Sequence, residues 1–196
     1  MPPKAKFKKS QIIETALDIV KARGFEALTA RSLGAELGSS ARPIFTVFQN
    51  MDELQQEVMK AAKSVYDHYV AEALSENRPY AQRFKSAGAQ YIRFAMEEPK
   101  LFQLLFMKEK EAPPDFRGIL PLIDENYEVI LASVKEDYGL DGMSAHRLYQ
   151  HLWVYAHGIA SLCATGMCRF TGEEIGAMMT EVFDSLLKNG EKNDRG

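Results

Sequence analysis

Side chains that can hydrogen-bond to a nucleic acid recur at short spacing between Thr29 and Gln49. Arginine can donate two parallel hydrogen bonds to guanine, while hydroxyl and amide groups bond to base edges or to phosphate oxygens. Within this stretch, Arg42 is the candidate for reading bases, and Thr46 is a candidate for a phosphate or base-edge contact. The complete set of candidate DNA contacts is Thr29, Arg31, Ser40, Ala41, Arg42, Pro43, Phe45, Thr46 and Gln49.

Two short helices are predicted to position these side chains. Thr29 can cap the first helix, in which Leu33 and Leu37 are one turn apart and form a single buried stripe. Gly38 can take the left-handed conformation that ends a helix without a steric penalty. The second helix is predicted over residues 41–48.

A small residue is needed where two helices joined by a short, steep turn approach each other. Gly34 meets this need, while Ser40 can cap the second helix and Pro43 fits in its first turn. The alternative is a pair of amphipathic helices in an ordinary bundle. The glycine turn and the small residue, in register with an apolar seam, favour a helix-turn-helix whose second helix lies in the major groove. The seam consists of Leu33, Leu37, Ile44 and Val47.

The run GSSARPIFTVFQNMDEL resembles the DNA-binding signature of TetR-type transcriptional regulators. Two positions depart from that signature: Met51 replaces a lysine that commonly contacts a DNA phosphate, and Ser39 replaces an apolar residue. The resemblance implies a DNA-binding regulator, usually a repressor that a small molecule releases from its operator. The matching positions are Gly38, Ser40, Phe45, Phe48, Asn50, Glu53 and Leu54.

Charge is divided unevenly along the chain. The net charge is −3, but residues 1–48 contain eight basic and four acidic side chains, which leaves −7 on the remainder. Because the electrostatic part of DNA affinity is local, a basic head on an acidic body is expected when one end meets phosphates. Residues 1–9, with four lysines, are predicted to be a flexible basic arm that either follows the DNA backbone or is only solvated.

Helical periodicity continues to the end of the chain, and no segment alternates with a period of two, so we predict an all-α fold of about nine helices. Residues 10–50 are expected to form the helix-turn-helix domain of three helices, beginning with Ser10 as a cap. Residues 51–190 are expected to form a helical bundle for ligand binding and dimerisation, with one helix over residues 116–138. Residues 191–196 are a polar tail.

The second domain is rich in aromatic side chains that could line a site for an apolar or aromatic small molecule, although most such residues belong to helical cores. Trp153, His157 and Gly158 are similar to the Trp-His-Gly motif of one class of ligand-binding domain found behind TetR-type DNA-binding domains. His157 either donates to a ligand or is a satisfied core residue. The candidate effector contacts are Phe84, Tyr91, Phe94, Phe106, Tyr127, Trp153 and His157.

Helices at about 144–165 and 172–188 are predicted to form a homodimer interface, although they could equally complete the core of a monomer. One helix-turn-helix reads few base pairs, so two of them on a palindromic operator are expected. The predicted function is a DNA-binding transcriptional regulator, most often a repressor, released by a small, largely apolar effector. The alternative is a helical small-molecule-binding or scaffolding protein whose helix-turn-helix does not bind DNA.

Catalytic, metal and membrane functions find no support in the sequence. None of the four histidines has a glutamate three positions before it, as a di-iron bundle requires. We find no G-x-S-x-G elbow and no glycine-rich phosphate loop, so neither an enzyme nor a cofactor is expected. Cys163 and Cys168 are too few for a zinc site, and the lack of a signal peptide or a long apolar run predicts a cytoplasmic protein.

Overall fold

A computed structural model describes residues 6–73, 80–109, 112–116, 118–123 and 126–193 of the 196-residue chain. These residues form α-helices and two short 3₁₀ helices, with no strand among them, which confirms the predicted all-α fold. The α-helices are α1 (Lys9–Arg23), α2 (Ala30–Glu36), α3 (Met51–Ala73), α4 (Tyr80–Glu97), α5 (Pro99–Phe106), α6 (Ile119–Ile123), α7 (Tyr127–Tyr138), α8 (Gly142–Ala164) and α9 (Gly172–Asn193).

The described residues form two compact units. The first unit contains those of Met1–His68 together with those of Glu97–Lys108, and the second contains those of Tyr69–Met96 and Glu109–Gly196. Helix α5 therefore belongs to the first unit, although residues of the second unit precede and follow it in the chain.

In the first unit, α1 packs against α2 and α5. Lys21 of α1 also forms an ion pair of 2.8 Å with Glu98, the residue immediately before α5. Helix α1 begins two residues earlier than predicted, with Lys8 instead of Ser10 at its cap position, so Ser10 lies inside the helix. Residues 1–5 of the predicted arm lie outside the described residues. The buried face of α1 has helical spacing and consists of Ile12, Ala16, Ile19 and Val20.

The turn that follows α2 has the geometry that the glycines predict. Gly38 has a φ of +61°, in the left-handed region. A Cβ atom on Gly34 would lie 2.9 Å from the carbonyl carbon of Ser40 and 3.0 Å from the amide nitrogen of Ala41. Because real Cβ atoms do not approach backbone so closely, only glycine allows α2 to meet the chain that leaves the turn.

The predicted regular α-helix over residues 41–48 is corrected by the structure, in which turns flank a 3₁₀ helix at Ile44–Thr46. The amide of Ile44 bonds to the Ala41 carbonyl at 3.1 Å, and the amide of Thr46 bonds to the Pro43 carbonyl at 3.2 Å. The Thr46 hydroxyl bonds to the same Pro43 carbonyl at 2.7 Å. This carbonyl is the acceptor that Val47 would need in an α-helix, so the tighter pattern of hydrogen bonds prevails.

In the second unit, α8 packs against α7 and α9 around an apolar core. Asp141 caps α8 by accepting from the Ser144 amide at 2.8 Å, and Thr171 caps α9 by accepting from the Glu174 amide at 3.2 Å. Helix α9 continues to Asn193, into the predicted polar tail. The buried core contains Ala73, Phe84, Ala87, Leu120, Ile130, Val134, Ala145, Leu148, Tyr149, Leu152 and Phe183.

The single helix predicted over residues 116–138 is wrong, since this segment contains two helices, α6 and α7. The carboxylate of Asp115 accepts a hydrogen bond from the Gly118 amide at 2.7 Å, so a turn replaces the predicted first helical residues. Residues 124 and 125, between the two helices, lie outside the described residues.

Replacing Gly34 with alanine tests the close approach at the turn. We expect Gly34→Ala to lower the free energy of unfolding by about 1–3 kcal/mol, because the added methyl group meets backbone that cannot yield without moving the turn. Urea unfolding followed by circular dichroism measures the change. Gly88→Ala in α4 is the matched control, since a Cβ there meets nothing within 4 Å. This control should raise stability by up to about 1 kcal/mol. Equal stability of Gly34→Ala and the wild type would contradict the steric argument.

Candidate functional site

Residues 39–49, which we call the recognition segment, separate into a buried side and an exposed side. Ile44 and Phe48 are almost completely buried in the first unit, and Val47 is half-buried. The exposed side carries the predicted contacts Ser40, Arg42, Phe45, Thr46 and Gln49, while Ala41 and Pro43 are half-buried. The apolar contacts of the buried side therefore fix the backbone from which the candidate DNA contacts project.

The polar side chains of this surface differ in whether they form hydrogen bonds or ion pairs within the protein. The Thr29 hydroxyl accepts from the Ser32 amide at 3.0 Å, and the Thr46 hydroxyl is bonded to the Pro43 carbonyl. Arg31 and Arg42 are exposed, and no salt bridge or hydrogen bond to another described residue holds either guanidinium group. The two arginines can therefore contact a phosphate or a base without first breaking an internal ion pair.

The junction with α3 fixes the end of the recognition segment. The side-chain oxygen of Asn50 accepts from the Glu53 amide at 2.9 Å, and the Glu53 carboxylate accepts from the Gln49 amide at 2.7 Å. The first bond caps α3, and in the second Glu53 reaches back one residue beyond the cap residue, to Gln49, where a regular capping box would use the amide of Asn50. Met51, half-buried, is the first residue of α3, so its position offers no ammonium to a phosphate.

Three predicted effector residues meet in the second unit. The Tyr91 hydroxyl lies 2.8 Å from Nδ1 of His157, and the imidazole stacks on the Trp153 ring with centroids 5.0 Å apart and an angle of 18° between planes. Burial lowers the pKa of His157 below its ordinary value, so the ring is neutral near pH 7. A neutral imidazole has one donor and one acceptor nitrogen, and an aromatic face lies beside it. This combination suits a ligand with a flat apolar part and one polar group.

Two more predicted effector residues belong to a neighbouring set of aromatic contacts in the same unit. Tyr127 stacks on Tyr149 with centroids 5.9 Å apart, and Phe84 meets Tyr149 edge-on at 5.4 Å. The Tyr127 hydroxyl lies 2.7 Å from Nδ1 of His146. Burial, together with the charge of Glu128, raises the pKa of Tyr127, which stays a neutral hydrogen-bonding phenol.

The remaining two predicted effector residues lie elsewhere. Phe94 is fully buried and meets Tyr69 edge-on at 5.3 Å in the second unit. Phe106 packs against Tyr66 and Phe102 in the first unit, at centroid distances of 5.0 Å and 5.2 Å. Phe106, which is half-buried, therefore packs within the first unit, and periodicity alone gave no sign of this.

Gln90 is a candidate site residue that the sequence did not suggest. Its side-chain oxygen is buried, with no hydrogen-bond partner among the described residues. An unpaired buried acceptor costs free energy, which a ligand N–H or O–H group could recover. The only signal in the sequence is an amide next to Tyr91, on a helix that also contains Phe84 and Phe94.

The described part of the chain has neither a metal-binding cluster nor a membrane-spanning helix. No group of three or more histidine, cysteine or acidic side chains there could hold a metal ion. None of the helices described is both long enough and apolar enough to cross a membrane.

A family model described as tetracyclin repressor-like, C-terminal domain, matches residues 84–188. Among solved structures, a TetR-like transcriptional regulator from Rhodococcus sp. RHA1 is similar with a TM-score of 0.61 and 14% identity, covering 100% of both chains. A putative TetR family regulator from Vibrio parahaemolyticus has a TM-score of 0.59 and 18% identity, covering 91% of this chain and 97% of its own. ActR from Streptomyces coelicolor, in complex with (S)-DNPA, has a TM-score of 0.53 and 17% identity, covering 95% and 100%. No curated protein sequence matches.

The half-buried His157 predicts a pH dependence of the free energy of unfolding. Burial holds the pKa of His157 below the ordinary value of 6.5, so on acidification the unfolded chain binds this proton first. The neutral imidazole therefore contributes to the free energy of unfolding above the pKa of the unfolded chain. This contribution is lost as the pH falls through the lower pKa of the folded protein. In urea unfolding between about pH 7 and about pH 5, His157→Gln should lose less stability than the wild type. The control Tyr91→Phe keeps the imidazole and should keep the pH dependence. Parallel curves for wild type and His157→Gln would rule out this titration.

Proposed function

The chain belongs to the TetR family of transcriptional regulators, and from this we propose that it is a repressor that binds a palindromic operator as a homodimer and leaves it when a small, largely apolar effector binds. The observation that supports DNA recognition most directly is the exposed side of the recognition segment, with Arg42 outward and Ile44 and Phe48 buried beneath it. We expect the protein to work in the cytoplasm, where the DNA is, and without catalysis or a cofactor.

In this proposal the recognition segment enters the major groove, with the residues nearest the turn closest to the base edges. Arg42 bonds to a base, and Thr46 and Gln49 contact base edges or phosphates. Arg31 and Thr29, at the start of α2, contact the phosphate backbone beside the groove. Phe45, which is 43% exposed, makes an apolar contact with the DNA. Because one helix-turn-helix reads few base pairs, a single copy covers only a half-site.

Dimerisation is proposed through one side of α8 together with α9. From Met143 onward, the exposed residues of α8 recur every three or four positions, so they lie on one face of the helix. They include apolar side chains, whose exposure to water is unfavourable. At 23 and 22 residues, α8 and α9 are about 35 and 33 Å long, enough to bury the roughly 800 Å² per partner of a standard interface. The first units of the two protomers would then bind half-sites about 34–36 Å apart. Besides Gly142 at its start, the exposed residues of α8 are Met143, Arg147, His151, Val154, Gly158 and Leu162.

The proposed effector is a small molecule with an apolar, largely flat body and one or two polar groups. His157 and Tyr91 offer a hydrogen bond that a ligand could share, Trp153 offers an aromatic face, and the Gln90 oxygen offers an unpaired acceptor. The complex of ActR with (S)-DNPA supports the idea that a fold of this kind accommodates a small molecule. An effector that donates a hydrogen bond would satisfy Gln90 and so gain affinity.

Coupling between the two functions is proposed to run along α3. This helix starts directly after the recognition segment and continues for 23 residues to Ala73, whose side chain belongs to the core of the second unit. If DNA and effector favour different positions of α3, the effector weakens DNA binding by the ratio of its affinities for the two states and by no more.

A second candidate function is a helical small-molecule-binding or scaffolding protein whose recognition segment does not bind DNA. Two observations favour it: the segment contains one 3₁₀ turn where a regular helix was expected, and Met51 stands where a phosphate contact was expected. Retention of the wild-type protein on random duplex DNA, falling with rising salt, separates the two functions, because only DNA binding releases counterions in this way.

Replacement of Arg42 tests the proposed base contact. Wild-type protein first selects its preferred duplexes from a randomised pool, and anisotropy titrations on the selected duplex then compare variants. Loss of a bidentate base contact is worth about 1–3 kcal/mol, so Arg42→Ala should weaken specific binding about tenfold to a hundredfold. Binding to unselected duplex should change much less.

Lys135→Ala, on the exposed surface of α7, is the matched control for loss of one positive charge far along the chain. Its specific affinity should equal that of the wild type. If Arg42→Ala retained full affinity and the same selected sequence, Arg42 would have no part in base reading.

Replacement of Val154 tests the proposed dimer interface. Val154 is 46% exposed on α8, and Val129, on α7, is 53% exposed. A glutamate in an apolar interface leaves a buried, unpaired charge that costs several kcal/mol, so Val154→Glu should shift micromolar protein to the monomer in sedimentation velocity. Val129→Glu makes the same chemical change outside the interface and should sediment as the wild type does. A monomeric wild type, or a dimeric Val154→Glu, would contradict this interface.

A further inference from the structure

Lys6, the first described residue of the predicted N-terminal arm, contacts the residue that follows the turn of the helix-turn-helix. The Lys6 ammonium donates a hydrogen bond of 3.1 Å to the Ser39 hydroxyl, across 33 positions of the chain. Ser39 is the first residue of the recognition segment and directly precedes Ser40, one of the candidate DNA contacts. The contact therefore brings a positive charge to the edge of the surface proposed to face DNA.

The charge of Lys6 is not neutralised by this contact. Ser39 is neutral, and among the described residues the ammonium also contacts the Phe7 ring, at 5.1 Å. An ammonium has three N–H donors, so one bond to a hydroxyl leaves two for an anion. Lys6 is also exposed, so an approaching phosphate does not have to displace packed side chains.

Lys9, three residues later, provides the contrast. Its ammonium lies 3.6 Å from the Glu57 carboxylate and 5.4 Å from the Phe48 ring, so its charge is already paired inside the first unit. Lysines of the same short segment thus have different surroundings: Lys9 is paired with Glu57 of α3, while Lys6 presents its charge beside the recognition segment.

We propose that Lys6, held in place by the Ser39 hydroxyl, contacts a DNA phosphate and so extends the DNA-binding surface beyond the helix-turn-helix itself. This inference rests on the proposed function of DNA binding. Phosphate contacts fix register and add affinity without reading sequence, so the selected operator sequence does not depend on Lys6. The contact also supplies a positive charge to a surface that has a methionine at position 51.

The salt dependence of binding tests this proposal. For the full-length protein on its selected duplex, the logarithm of affinity falls linearly with the logarithm of salt concentration, with a slope of about −0.9 per phosphate contact. Lys6→Ala should make the slope shallower by about 0.9, so its affinity deficit should shrink about threefold between about 50 and about 200 mM salt. The selected sequence should remain the same. Lys135→Ala removes the same charge from α7 and should leave the slope unchanged.

Ser39→Ala tests whether the hydroxyl holds the lysine. It should weaken binding less than Lys6→Ala does, and the double variant should bind like Lys6→Ala alone, because Ser39 acts through Lys6. Additive losses would overturn the positioning role of Ser39. Thermal unfolding of each variant, compared with the wild type, separates loss of a phosphate contact from loss of the fold.

Two outcomes distinguish the failure of this inference from failure of the proposed function. If the wild type is retained on DNA and Lys6→Ala has the same slope, Lys6 does not contact phosphate, while the DNA-binding function stands. If the wild type itself shows no salt-dependent retention on any duplex, the proposed function fails and the inference fails with it.

Discussion

The close approach of two backbone segments at Gly34 is the constraint on which the DNA-binding surface depends. Glycine at this position lets α2 lie against the backbone of Ser40 and Ala41, and the left-handed Gly38 supplies the change of direction just before it. With the turn fixed, Ile44 and Phe48 are directed into the core, and the polar side chains between and around them are left outside. The lack of a Cβ atom at Gly34 thus determines which side chains are exposed and can contact DNA.

Electrostatics divides the chain in the same way as packing does. Among the described residues, Lys6, Arg31 and Arg42 lie around the recognition segment with no acidic partner, while His157 and Tyr127 of the second unit are half-buried, neutral and hydrogen-bonded. Charge at the surface is suited to long-range attraction to phosphates. Neutral groups in an aromatic surrounding are suited to a ligand that must leave water. The two units therefore have the physical character that their proposed partners require.

Structural features that depend on neighbouring residues could be predicted from the sequence, whereas features that depend on residues distant in the chain could not. The glycine turn, the Thr29 cap and the start of α3 depend on neighbours within a few residues, and the structure has them where the pattern placed them. The 3₁₀ turn at Ile44–Thr46 depends on competition for the Pro43 carbonyl, which no periodicity encodes. The Lys6 contact with Ser39, the place of Phe106 in the first unit and the unpaired oxygen of Gln90 depend on residues brought together only by folding.

The place of helix α5 in the first unit affects how that unit could be exchanged between proteins of this architecture. Its residues Leu101 and Phe102 are fully buried, and Glu98 beside it pairs with Lys21 of α1. A fragment cut after α3 would lack this helix and leave an apolar face of α1 open to water. The first unit is therefore discontinuous in sequence, and a chimaera that joins it to a foreign second unit needs three splice points, not one, with residues 97–108 retained from the parent chain.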